Sequence, residues 1–85
     1  MRVLEVRFHP HTKSVATSYV VARVWCGTGA AQIEPIRSAA AEEARLDAEA
    51  VLAKLRFLVD VSRPAPFEPL RKLRSDYWSF VEIEG

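Results

Sequence analysis

The chain has one cysteine, so no disulfide can close within it. It has no apolar run near the ~18 residues that a membrane-spanning helix needs. Its first residues, MRVLEVRFHPH, do not have the form of a signal peptide. A lone cysteine without an export signal fits a reducing compartment, and the expected location is cytoplasmic. Charge of one sign is also missing. Twelve basic residues meet eleven acidic ones, a net charge of +1, which leaves no whole-molecule field for nucleic acid or a membrane surface. Any such binding has to come from a local patch. Glycine is scarce, with three in all, and Gly27-Thr28-Gly29 lacks the spacing of a phosphate-binding loop; it reads as a turn. Asparagine is absent and arginine outnumbers lysine nine to three, and neither fact points to a function.

What is present is an ordinary globular balance, 49% hydrophobic and 27% charged. Eighty-five residues fit one domain spanning 1–85. A chain of this length buries only ~60–65% of its unfolded surface, so its margin of stability is thin. With a disulfide excluded, a partner subunit is the most direct source of extra burial.

Residues Arg2 to Phe8 alternate. Leu4, Val6 and Phe8 share one side; Val3, Glu5 and Arg7 share the other, as in a half-buried strand. His9 to Ser14 are polar, include Pro10 and read as a hairpin loop. Val15 to Cys26 are rich in β-branched and aromatic residues and read as a second strand. Its even positions (Ala16, Ser18, Val20, Ala22, Val24, Cys26) are small or medium and are expected to face a helix. The odd positions, Tyr19, Val21 and Trp25 among them, are then expected on the far side. Ala31 to Ile36 reads as a short third strand, confined to a sheet edge because Pro35 lacks an amide donor.

Ser38 is a good N-cap, and Ala41, Ala44, Ala48, Val51, Leu55 and Leu58 follow at spacings of three and four. That stripe predicts one amphipathic helix from Ser38 to Val59. Pro64 and Pro66 end it. Phe67 to Arg74 is expected to form a short helix with Pro69 in its first turn, and Tyr77 to Glu84 the last strand. The expected fold is α+β: a small antiparallel sheet of three to four strands, in the order β-β-(β)-α-β, packed on one long amphipathic helix.

Candidate chemistry is sparse. His9 and His11 could begin a metal site, but zinc takes three or four ligands and no acidic residue flanks the pair. Cys26 would need a base to lower its pKa, and His9 is the candidate across the hairpin. Glu42, Glu43, Asp47 and Glu49 fall on the polar side of the helix stripe and read as a solvated face. No catalytic residue, metal ligand or cofactor is assigned, and the reading leans away from an enzyme.

Two surfaces remain. Arg71, Lys72 and Arg74, followed by Tyr77 and Trp78, form the densest basic-aromatic run, and such residues contact phosphates and stack on bases. A helical stretch (Leu52 to Val59), then Lys72-Leu73-Arg74, then the aromatic strand Tyr77 to Val81, resembles the RelE/HigB-type toxins of toxin–antitoxin pairs over about thirty residues. That resemblance implies nucleic acid as a partner through 71–74; two long strands before the helix depart from the family pattern, and no catalytic role is carried over. The second surface follows from having one helix: it covers one sheet face only. Tyr19, Val21 and Trp25, joined by Trp78 and Phe80 if Val81 and Ile83 face the helix, are expected on the other. An apolar aromatic patch of that kind marks an interface, here with a second copy in a homodimer, or else lines a site for a small hydrophobic ligand.

Overall fold

The computed structural model describes residues 2–10, 18–27, 30–43 and 46–83. The fold is α+β: β1 (Arg2–Phe8), β2 (Tyr19–Cys26), β3 (Gln32–Pro35), α1 (Ala39–Glu43), α2 (Ala48–Val61), α3 (Phe67–Arg71) and β4 (Trp78–Ile83). The four strands form one antiparallel sheet in the order β3-β2-β1-β4. The first and last strands are thus neighbours, and β3 with its Pro35 lies at an edge. The hairpin residues His11 to Ser14 and the expected start of β2, Val15 to Thr17, lie outside the described residues.

The expected single helix is two helices. Ser38 caps α1, its Oγ accepting from Ala41 N at 3.3 Å. Asp47 is extended (φ −77°, ψ 91°) and starts a new helix, its side chain accepting from Ala50 N at 3.1 Å. An aspartate that satisfies an orphan amide favours such a start over helix interior. The 3.6-residue stripe runs on through the sequence across the break, but none of the described α1 residues joins the core. Val51, Leu55 and Val59 are its buried members in α2. The helix ends where Ser62 Oγ donates back to Leu58 O at 2.8 Å, just ahead of Pro64.

A β-bulge decides which β2 side chains reach the core. Val6 pairs with Ala22, but Arg7 pairs with Val20, which leaves Val21 as the extra residue. Above the bulge the even positions Ala22 and Val24 face the helices, as alternation predicts. Below it the parity reverses, so Tyr19 and Val21 turn to the helix side and Val20 pairs on the far side.

The core comprises Leu4, Val6, Val21, Ala22 and Val24 of the sheet, Val51, Leu55 and Val59 of α2, Phe67 and Leu70 of α3, and Trp78 and Phe80 of β4. Trp78 is wedged between aromatics, edge-on to Phe8 at 5.1 Å and stacked with Phe80 at 6.2 Å. The packed side chains of α2 and α3 all lie on this face of the sheet.

Candidate interaction surfaces

Of the five residues expected on the uncovered sheet face, only Trp25 is there. Tyr19, Val21, Trp78 and Phe80 belong to the helix side, which corrects the expected placement. The bulge turned the first two inward. For the other two the register decides: Trp78 and Phe80 pair with Phe8 and Val6, whereas Val81 and Ile83 pair with Glu5 and Val3 on the far side.

The far face can be written as rows across the strands. Gln32, Trp25, Val3 and Ile83 form one row; Glu34, Arg23, Glu5 and Val81 form the next; Val20, Arg7 and Ser79 form the third. Val3 is 0% exposed although no described helix lies over it; its cross-strand neighbours are Trp25 and Ile83. The other two rows are charged. Arg23 reaches Glu34 at 3.5 Å and Arg7 reaches Glu5 at 3.2 Å. A face with four charges at its centre is poorly suited to a dry apolar contact, since each ion would have to be desolvated.

At one end of that face, His9 Nε2 and Ser79 Oγ are 2.7 Å apart. Sequence reading missed this pair, because seventy residues separate it and only the β1–β4 register brings it together. No carboxylate orients the imidazole among the described residues, so the pair lacks the third member that activates a serine. The proposed closeness of His9 to Cys26 does not occur. Cys26 pairs with Arg2 at the opposite end of β1. Burial pushes its thiol above the ordinary cysteine value, partly opposed by the Arg2 charge, which is the reverse of activation. His11 lies outside the described residues.

The basic segment is tied to one carboxylate. Arg71 closes α3, and its guanidinium donates to Glu68 at 2.9 Å; Lys72 Nζ lies 3.6 Å from the same group. The Arg71 hydrogen bond, with the positive charges of Arg71 and Lys72, holds the Glu68 carboxyl below its ordinary value. Arg2 adds a third cation at 3.7 Å, while its guanidinium lies over the Phe67 ring and also pairs with Glu82. Arg74 makes no ion pair among the described residues. Only part of the expected phosphate-binding charge is therefore free of a carboxylate.

Among the described residues, the most exposed large apolar side chains are elsewhere, on the outer face of α2. Phe57 is 65% exposed and Val61 is 61% exposed. They are four residues apart, with Ala53 one turn before, so the three line one ridge. A shallow groove of about 430 Å³ runs beside it, lined by Ala53, Lys54, Phe57, Leu58 and the edge of Trp78. Along one flank of the ridge lie Glu49, Arg56 and Asp60, with Arg63 just past the helix end and paired to Asp60 at 3.2 Å. Their charges alternate in sign. Sequence reading passed over this ridge because it followed the buried stripe; two large apolar residues off that stripe were the available signal.

Comparison with protein-family models, with curated proteins and with solved structures finds no match.

Proposed function

We propose that this chain is a non-enzymatic interaction domain that pairs with a second copy of itself through the outer face of α2. The observation that carries the reading is the exposed Ala53–Phe57–Val61 ridge with its flank of alternating charge. Ridges of residues four apart pack into one another when two helices cross. In an antiparallel pair with its two-fold axis at Phe57, the two Phe57 rings meet at the centre and Val61 lies over Ala53 of the other copy. The axis keeps each flank on its own side. It therefore brings Asp60 beside the other copy's Arg56, and Arg63 beside its Glu49. The surface is self-complementary, as an isologous contact requires. Burying apolar area also supplies what an 85-residue chain has least of. The lone, unactivated Cys26 fits a reducing compartment, and the cytoplasm is the proposed location.

Sedimentation equilibrium tests the proposal. The wild type should be dimeric at tens of micromolar. Phe57→Glu should weaken association about 100-fold or more, since each of two rings contributes at least ~1.4 kcal/mol. Arg56→Glu should weaken it by placing like charges together, and adding Asp60→Arg should restore it. Trp25→Ala on the sheet face should change nothing. A wild type that remains monomeric at roughly 50 µM overturns the proposal, because it implies less than about 6 kcal/mol of association. So does an association that survives Phe57→Glu but is lost with Trp25→Ala.

A further inference from the structure

The break between α1 and α2 leaves a recess against the sheet edge. It measures about 410 Å³, and Val21, Ile36, Leu46, Val51 and Leu52 line it. Small-molecule sites fall in this range of size and are mostly apolar. Had the helix run unbroken from Ser38, Leu46 would sit on a continuous helical surface; instead its amide bonds to Ala41 O at 3.1 Å outside either helix, and its side chain packs against the core beside the recess. Glu42, Glu49 and Arg37 stand among the lining residues and are exposed. None of the three has an ion-pair partner among the described residues. The surrounding stretch, residues 37–49, is acidic in sequence, with two arginines against four carboxylates. An apolar hollow with an acidic border favours a ligand that is apolar at one end and positively charged at the other.

We propose that this recess binds a small apolar molecule bearing a protonated amine, of the size of an arylalkylamine. The recess shares Glu49 with the flank of the proposed dimer surface but none of the ridge residues Ala53, Phe57 and Val61, so repeating the titration on Phe57→Glu reads the recess apart from association.

Three matched probes test it by NMR titration of backbone amides: phenethylamine, phenethyl alcohol and 3-phenylpropionate. The amine should give saturable shifts centred on Ile36, Leu46, Val51 and Leu52. It should bind about three- to fivefold more tightly than the alcohol, as expected of partly exposed charges, and the anion should bind weakest. Glu42→Gln with Glu49→Gln should erase the preference for the amine and leave the alcohol unchanged. Ala41→Trp, which fills the recess, should abolish binding of all three. If that variant unfolds, Ala48→Phe at the edge of the recess gives the same block. Binding of the anion as tight as that of the amine overturns the proposal. Shifts centred on the Phe57–Trp78 groove, or no saturation by about 10 mM, do so as well.

Discussion

Leu55 and Phe57 are two residues apart on α2 and face opposite ways, so truncating each to alanine tests how the helix is seated. Leu55 is 0% exposed and sits among the core side chains of the sheet and α3. Leu55→Ala removes three buried carbons and leaves a cavity, at a cost of about 3 kcal/mol within a general span of ~2–5. At ~0.05–0.15 kcal/mol per residue, the chain as a whole is stable by only about 4–13 kcal/mol. The loss corresponds to a fall in midpoint temperature of ~12–24 °C for a domain of this size. Phe57 is 65% exposed. Phe57→Ala gives up little burial and gains about 0.5 kcal/mol of helix propensity, so its stability should stay within ~0.5 kcal/mol of wild type. Urea unfolding followed by the fluorescence of buried Trp78 measures both, at about 1 µM protein so that self-association does not add to stability. A cost below about 1 kcal/mol for Leu55→Ala would refute the seating of α2 on the sheet. A cost above ~1.5 kcal/mol for Phe57→Ala would show a ring buried within one chain, and with it the dimer surface would go.

Two further outcomes follow from local geometry. Asp47→Ala should cost about 1 kcal/mol in denaturant unfolding, because the Ala50 amide loses its acceptor, whereas Asp47→Asn should cost only a few tenths. Glu68 supplies a pH dependence. Its folded carboxyl titrates below its ordinary value, mainly through the Arg71 hydrogen bond. A depressed folded value stabilises the protein above the unfolded value, and that contribution is lost as pH falls through the folded one. NMR titration should place its midpoint below that of the unfolded chain, and Arg71→Ala should return it toward the ordinary range. A Glu68 midpoint unmoved by Arg71→Ala would contradict the pairing.

Element types were legible in the sequence because each rests on periodicity over several residues. Arg2 to Phe8 alternates, and Leu4 and Val6 are buried on the expected side, although Val3 on the other side is buried as well. What stayed hidden is what a single residue changes. The bulge at Val21 inserts one residue into β2 and reverses the parity of everything before it, and no glycine marks the spot. Tyr19 was thereby placed on the wrong face by the same rule that placed Ala22 and Val24 correctly. The parity of β4 was open for another reason. Trp78, Phe80, Val81 and Ile83 are apolar on both faces, so only the pairing with β1 tells them apart. The helix break at Asp47 had a local signal, a capping residue followed by Glu49 in the first turn. The stripe spanning both helices masked it.

An aromatic side chain says little about a surface until its face is known, and here the placement of Tyr19, Val21, Trp78 and Phe80 on the helix side moves attention to residues that no stripe claimed. Phe57 and Val61 contribute nothing to the stripe that holds α2 on the sheet, and both are more than half exposed. Lysine or glutamate at those positions would serve the helix as well and solubility better. A fold that has already placed Leu55 and Val59 in its core gains no further intrachain burial from them. Their apolar character makes physical sense against a covering surface. The flanking sequence of Glu49, Arg56, Asp60 and Arg63 fits a reversed copy of the same helix, with opposite charges meeting on one flank. Of the alternatives, the sheet face would have to desolvate Glu5, Arg7, Arg23 and Glu34.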